Sequence, residues 1–211
     1  PGPGLGANTH GLGLSGPGLA DGSTIRGVAF GGFTGAGLQV RSNNNYIECS
    51  NFGTDATGTV AVPNGGSGVE IGNGNGTVLG GSSAAQRNIL SGNTSPGLRI
   101  WTSNNQVLGN YVGLNATGAS ALPNTNGITF AGSGTGNTVG GSSPGSRNVV
   151  AGNSGAGILV MSPANHIAGN YIGTDPTGLS AVPNALGIRI ESTAGNVIGG
   201  SQPGEGNVIS G

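Results

Sequence analysis

Residues 110–118 read Asn-Tyr-Val-Gly-Leu-Asn-Ala-Thr-Gly, and this stretch decides the fold because it recurs along the chain. A related copy, Asn-Phe-Gly-Thr-Asp-Ala-Thr-Gly, occupies residues 51–58. A third copy, Asn-Tyr-Ile-Gly-Thr-Asp-Pro-Thr-Gly, occupies residues 170–178. The copies begin at intervals of about 60 residues. Self-similarity at a fixed period indicates a repeat architecture.

Each long repeat contains two shorter units, and each unit is marked by a Gly-apolar-x-apolar motif. The motif begins at Gly37, Gly68, Gly97, Gly127, Gly157 and Gly187, with an earlier relative at Gly11. Two further short stretches in each unit also alternate apolar and polar residues, as half-buried strands do. Glycine, serine, asparagine and proline mark the bends between them. The sequence therefore predicts an all-β solenoid, a parallel β-helix of about seven turns with three short strands in each turn.

We expect a single domain over residues 1–211. Its parts are irregular first turns at 1–50 and two-turn repeats at 51–109, 110–169 and 170–211, of which the last is incomplete. At the usual strand spacing, seven turns would form a rod roughly 34 Å long.

Polar residues at two of the bends are expected to stack as structural ladders. An asparagine amide carries a donor and an acceptor, so it can bond both the backbone and the amide of the next turn. The second strands begin with the column Asn45, Thr77, Asn105, Asn137, Asn165 and Asn196, and the third strands begin at Asn51, Asn88, Asn110, Asn148, Asn170 and Asn207. We expect Cys49 to be a small buried filler. The outward third-strand column Phe52, Ile89, Tyr111, Val149, Tyr171 and Val208 should form a secondary core beneath long loops.

The composition excludes several classes of protein. The chain has six arginines, no lysine, seven acidic residues and a net charge of −1, so an electrostatic nucleic-acid binder is not expected. No stretch approaches the 18 apolar residues that a membrane span needs. A single cysteine excludes an internal disulfide framework and a cysteine-based zinc cluster.

The outward face of the first strands holds the candidate binding residues. One column is Gln39, Glu70, Arg99, Thr129, Leu159 and Arg189, and the next is Arg41, Gly72, Trp101, Ala131, Met161 and Glu191. Exposed Trp, Leu and Met side chains can mark a partner or sugar surface, although they also occur singly on ordinary surfaces. The candidates are Glu70, Arg99, Trp101, Leu159, Met161, Arg189 and Glu191. We expect ion pairs between Glu70 and Arg99 and between Arg189 and Glu191.

Catalytic, metal and cofactor sites are not expected. Glycoside hydrolases use two grouped carboxylates, whereas the acids here fall on different turns and faces. His10 and His166 have no partner that suggests a metal, and we expect outward His166 to be simply solvated. Asp55, Asn115 and Asp175 recur in one loop, where an Asx-turn is favoured over a calcium site.

The repeat resembles that of bacterial right-handed parallel β-helix proteins, which share the pectate-lyase-like superfold. The likeness rests on Asn-Tyr-Ile-Gly-Thr-Asp-x-Thr-Gly, followed by Pro-Asn, Gly-Ile-x-Ile, Asn-x-Ile-Gly-Gly and Arg-Asn-Val-Ile-Ser-Gly, and it covers about residues 20–211. It implies a right-handed helix and an extracellular or cell-surface setting. It implies no reaction, because the same fold carries lyases, hydrolases, epimerases and tailspikes.

The sequence therefore predicts a secreted, non-catalytic structural β-helix, either the stalk of a surface adhesin or a fibre subunit. The chain stops in mid-repeat at Gly211 without a polar cap, which predicts either a fragment of a longer β-helix or self-association end to end. The alternative is a β-helix that binds or cleaves polysaccharide.

Overall fold

The computed structural model describes residues 8–211, which wind into three parallel sheets of seven strands each. Sheet 1 contains β1 (Leu12–Ser15), β4 (Leu38–Arg41), β7 (Val69–Ile71), β10 (Leu98–Ile100), β13 (Ile128–Phe130), β16 (Ala156–Val160) and β19 (Leu186–Ile190). Sheet 2 contains β2 (Thr24–Arg26), β5 (Tyr46–Glu48), β8 (Val78–Gly80), β11 (Gln106–Leu108), β14 (Thr138–Gly140), β17 (His166–Ala168) and β20 (Val197–Ile198). Sheet 3 contains β3 (Ala29–Phe30), β6 (Asn51–Phe52), β9 (Ile89–Leu90), β12 (Tyr111–Val112), β15 (Val149–Val150), β18 (Tyr171–Ile172) and β21 (Val208–Ile209).

One strand from each sheet makes one turn of the solenoid, and the turns are numbered 1 to 7 in chain order. Each strand pairs in parallel with its counterparts one turn away; Leu98 of turn 4, for example, pairs with Val69 of turn 3 and Ile128 of turn 5. Over residues 8–211, two short 3₁₀ turns, Ala84–Gln86 and Pro144–Ser146, interrupt an otherwise all-β fold. The predicted right-handed parallel β-helix of about seven turns is confirmed.

Stacked apolar side chains from all three sheets fill the interior. The sheet 1 columns headed by Leu38 and Val40 point inward as expected, and the members in turns 2 to 6 are almost fully buried. Burial of a Leu or Ile side chain stabilises a fold by about 1.5–3 kcal/mol. In turn 2, the sequence analysis placed Phe52 in the outward column of sheet 3, and this was wrong by one residue. Phe52 pairs with Leu90, not Ile89, and points inward. Its ring stacks on Phe30 with centroids 5.2 Å apart.

Hydrogen bonds confirm asparagine ladders at the two predicted bends. In sheet 2, the Asn105 backbone N–H and Nδ2 both donate to Asn137 Oδ1, at 2.9 and 2.8 Å. The same arrangement continues from Asn137 through Asn165 to Asn196. In sheet 3 the ladder runs through Asn88, Asn110, Asn148, Asn170 and Asn207.

The early turns depart from these ladders. Asn45 Oδ1 accepts from the Ser23 backbone, but Thr77 interrupts the sheet 2 ladder and its hydroxyl is buried without a partner in the described part of the chain. In sheet 3, Ser50 holds the ladder position of turn 2 and donates its backbone N–H to Asn88 Oδ1. Asn51 lies one residue further on, where its Nδ2 bonds loop carbonyls instead.

A third ladder, which the sequence analysis missed, runs along the bend before sheet 1. It consists of Asn64, Asn93, Asn124, Asn153 and Asn184, joined by Nδ2-to-Oδ1 bonds of 2.9–3.0 Å. In turns 2 to 6, the glycine of the Gly-apolar-x-apolar motif makes room for it. A Cβ at Gly157, for example, would lie 2.8 Å from Asn184 Nδ2. The motif therefore requires glycine because the ladder amide of the next turn occupies that space.

The 60-residue period arises because turns alternate in their loops. A long loop follows sheet 3 in turns 2, 4 and 6, closed by the bridges Thr54–Ala61, Leu114–Ala121 and Thr174–Ala181. These loops help to cover an outer cluster of Ile89, Tyr111, Leu114, Val149 and Ala151, against which Tyr171 packs, so the predicted secondary core exists in turns 3 to 6. Val208 of turn 7 was also expected there, but it is exposed. Arg87 and Arg147, from turns 3 and 5, lie 4.0 Å over the rings of Tyr111 and Tyr171 in the following turns.

Cys49 is exposed, so its assignment as a buried filler was wrong. The inward alternation of Asn45 and Ile47 ends at this corner, where Cys49 has φ of 51°. This left-handed conformation turns the chain into sheet 3 and directs the side chain out of the core.

Candidate functional site

The outer face of sheet 1 carries the candidate binding residues, and its register is as predicted. Gln39, Glu70, Arg99, Thr129, Leu159 and Arg189 follow one another across the sheet, one from each of turns 2 to 7. Rigid strands thus display one outward side chain per turn at the usual strand spacing of about 4.8 Å.

A shallow groove of about 450 Å³ lies on this face at turns 2 to 4. It is lined by Gln39, Arg41, Glu70, Gly72, Asn73 and Trp101. Gly72 lies in the outward column between Arg41 and Trp101, so the missing side chain leaves the space between them open. The groove combines an aromatic face, a guanidinium, one carboxylate and two amides.

Trp101 is half-buried, and the Arg99 guanidinium lies 5.4 Å from its ring centroid. Glu70 is registered directly beside Arg99, but the expected ion pair between them is not among those formed within residues 8–211. The prediction was wrong because the cation–π contact draws Arg99 along its own strand toward Trp101. The Glu70 carboxylate therefore lines the groove without this cation.

The remaining candidates do not join the groove. Leu159 and the exposed Met161 lie in turn 6, two turns beyond Trp101. Arg189 and Glu191 form the expected ion pair in turn 7, and both side chains are partly exposed. The seven candidates thus separate into a groove cluster, an apolar pair and an ion pair. The sequence analysis did not name the groove residues Gln39, Arg41 and Asn73 as binding candidates. Their positions could have indicated it, because they stand at outward or bend positions beside Glu70 and Gly72.

The recurrent acidic loop has the geometry of an Asx-turn. Asp55 Oδ2 accepts from the Thr57 hydroxyl at 2.7 Å, and Oδ1 accepts from the Thr59 backbone at 2.9 Å. Asn115 makes the equivalent bonds in turn 4, which explains why an amide can replace the acid. Hydrogen bonds from the Thr57 hydroxyl and the Val60 backbone lower the pKa of Asp55. The pKa of Asp175 is lowered in the same way, chiefly by the Thr177 hydroxyl.

The two histidines serve the local fold. His166 projects from sheet 2 as predicted, but it is half-buried and its Nε2 lies 2.8 Å from the Gly199 carbonyl oxygen. The expectation of a merely solvated side chain was wrong because the loop of turn 7 folds over it. His10 Nδ1 accepts from the Ala36 backbone at 2.9 Å.

The described part of the chain holds neither a cluster of metal-ligating side chains nor a membrane-spanning helix. From Asn8 to Gly211, no three His, Cys, Asp or Glu side chains come together as metal ligands would. Over the same range there is no helix with the length and apolar character needed to cross a membrane.

Comparisons with known proteins identify no relative. No protein-family model, curated protein or solved structure matches this chain. The β-helical fold is shown by the structure alone.

Proposed function

We propose that this chain is a non-catalytic structural β-helix of the cell exterior, serving as a rigid rod in an adhesin stalk or in a fibre. The observation that carries the proposal is the continuity of the ladders. All three sheets run through turns 1 to 7, and three asparagine ladders run beside them through turns 4 to 7 without a break.

This arrangement suits a mechanical role because every turn is tied to its neighbours at several bends. The Asn110 side chain alone bonds Asn88, Leu79 and Asn148 across three successive turns. A buried hydrogen bond contributes about 1 kcal/mol, and the loss of one partner costs more because the other is left unsatisfied. Bending the rod would stretch many such bonds at once.

The groove offers little for catalysis of the kind that this fold supports elsewhere. Glu70 is the one carboxylate in its lining, whereas a glycoside hydrolase uses a pair about 5–9.5 Å apart. The other acids are engaged elsewhere, such as Asp55 in its own loop and Glu191 with Arg189.

The proposal is tested by joining imaging with a cleavage screen. In electron micrographs across a concentration series, the chain should form rigid particles of constant width, either short rods or filaments. It should release no product from a panel of neutral and uronic-acid polysaccharides. Turnover that Glu70→Gln abolishes and Glu191→Gln preserves would overturn the structural role.

Polysaccharide binding is the second candidate, and the exposed groove around Trp101 favours it. A sugar ring can stack on an aromatic face while amides and charged groups bond its hydroxyls. Trp101→Ala should weaken binding to a retained polysaccharide at least tenfold. Met161→Ala is the matched control, because it removes an apolar side chain from the same column away from the groove. Equal binding by both variants would exclude the groove as the site.

A further inference from the structure

Four asparagines in the chain are followed directly by glycine, and their surroundings differ. They are Asn64, Asn73, Asn75 and Asn126. An Asn-Gly pair favours deamidation, because glycine has no Cβ and leaves its backbone nitrogen unhindered for attack on the side-chain amide. The reaction needs a side chain that can rotate and a following N–H that is not held in a hydrogen bond. The contacts around each pair therefore decide which of the four can react.

Three of the four pairs are locked at both groups. Asn64 is buried in the third ladder, and the N–H that follows it donates to a backbone carbonyl at 2.7 Å. At Asn75, the side-chain oxygen accepts from the Ser103 N–H at 2.9 Å, and the following N–H donates to the Ser103 carbonyl. At Asn126, the same two bonds are made with Ala156, at 2.8 and 3.0 Å. Deamidation at these three sites requires a local opening of the bend.

Asn73 is held at neither group. Its side chain is exposed and lines the groove on sheet 1. Within the described part of the chain, no hydrogen bond engages that side chain or the N–H of Gly74. The main chain on either side is nevertheless fixed, because the Gly72 N–H donates to the Val40 carbonyl and the Thr102 hydroxyl donates to the Gly74 carbonyl. The reactive pair is thus free while the turn around it keeps its contacts.

The stacking of the turns requires the glycine of this pair. A Cβ at Gly74 would lie 1.7 Å from the Ser42 carbonyl oxygen of the preceding turn. In turn 5, the equivalent glycine is Gly134, where a Cβ would also collide with the turn before it, but the residue that precedes it is Ser133. Serine cannot form a cyclic imide, so turn 5 keeps the glycine without the reaction. Asn73 is therefore reactive because a residue demanded by packing follows it.

We propose that Asn73 is a site of spontaneous deamidation, which adds a second carboxylate to the groove. The Gly74 backbone nitrogen gives its proton to water and attacks Cγ of Asn73, and the Cγ–Nδ2 bond breaks to release ammonia. Water then opens the cyclic imide at either carbonyl, which leaves aspartate or isoaspartate at this position. The net reaction consumes one water and yields a carboxylate and ammonium, with no oxidant or cofactor.

The reaction changes the charge of the groove. Arg41 and Glu70 are the charged residues of its lining, one guanidinium and one carboxylate. After deamidation, the same guanidinium faces two carboxylates. This inference goes beyond the proposed function, because it holds whether or not the groove binds a polysaccharide.

The experiment follows all four asparagines in the full, folded chain. The protein is incubated in mildly alkaline buffer, and tandem mass spectrometry of its peptides assigns each new acid to a residue over time. Asn73 should react at least about tenfold faster than Asn64, Asn75 or Asn126, because their locked groups must first be released. The same time course in strong denaturant is the reference, in which the four pairs should react at similar rates.

The matched control is Asn73→Ser, which gives turn 3 the residue that precedes the equivalent glycine of turn 5. The substituted side chain is exposed and makes no hydrogen bond in the described part of the chain, so the variant should fold. Its formation of isoaspartate in the folded state should nearly disappear.

Equal rates at the four sites of the folded chain, or undiminished isoaspartate in the variant, would overturn the proposal. A rate advantage of Asn73 that persists in denaturant would also overturn it, since the difference would then belong to the local sequence and not to the hydrogen bonds of the fold.

Discussion

Replacement of Asn137 by alanine should cost the fold about 3–5 kcal/mol. The side chain is almost fully buried. Its Oδ1 accepts from the Asn105 backbone and amide, and its Nδ2 donates to the Thr102 carbonyl and to Asn165 Oδ1. A net contribution of about 1 kcal/mol per hydrogen bond, with the penalty for leaving the Asn105 N–H buried and unpaired, gives this range.

The assay is urea denaturation followed by circular dichroism, with the free energy of unfolding compared between the wild-type chain and the variant. Exposed Asn73→Ala is the control, and it should change stability by no more than about 0.5 kcal/mol. If Asn137→Ala cost as little as Asn73→Ala, the ladders would contribute no net stability, and the argument for a rod held by amide columns would fail.

Three further predictions concern other contacts. Gly80→Ala should destabilise the fold by at least about 2 kcal/mol in thermal and urea unfolding, because Gly80 has φ of 87° and a Cβ there would collide with the next turn. Gly206→Ala is the control and should be tolerated, because a Cβ there would meet nothing within 4 Å. Arg147→Lys should recover little of the roughly 1–2 kcal/mol lost in Arg147→Ala, because the planar guanidinium both covers the Tyr171 ring and donates Nε–H to a backbone carbonyl. In a carboxyl NMR titration, the pKa of Asp55 should lie below its ordinary value. The ionised side chain then stabilises the loop above about pH 4, and this contribution is lost as the pH falls through the folded pKa. An unshifted titration would contradict the Asx-turn.

The period made the architecture predictable from the sequence. Each Gly-apolar-x-apolar motif marks sheet 1, and residues at one offset stack because a solenoid places them one turn apart. Asparagine at the same offset in successive units predicted two ladders for the same reason. The spacing of the motifs in the sequence gave the correct pairing of residues between neighbouring strands wherever the loops between strands kept their length.

Errors arose where the length or the backbone conformation changed locally. Asn51 was aligned with Asn88 because both are asparagines, but Ser50 holds that ladder position, and Phe52 consequently moved to the interior. Cys49 was assigned by alternation, which a left-handed corner residue interrupts. The third ladder was missed because Asn64 and Asn93 lie in loops of unlike sequence, Pro-Asn-Gly and Gly-Asn-Thr. The groove was equally hidden, since it depends on the absence of a side chain at Gly72.

The stacking geometry also explains why this chain carries so few charges. A residue in one turn meets its counterpart about 4.8 Å away, where two like unit charges in water repel by about 0.9 kcal/mol, and by more when partly buried. Repeating a charged residue in every turn would therefore build up repulsion along the rod. Where charged residues do meet in register, at Arg26–Glu48 and Glu70–Arg99, the signs are opposite. Asparagine escapes the problem because a neutral amide both donates to and accepts from its own copy. A rod built on amide columns can thus repeat one polar residue indefinitely, and its ladders do not titrate with pH.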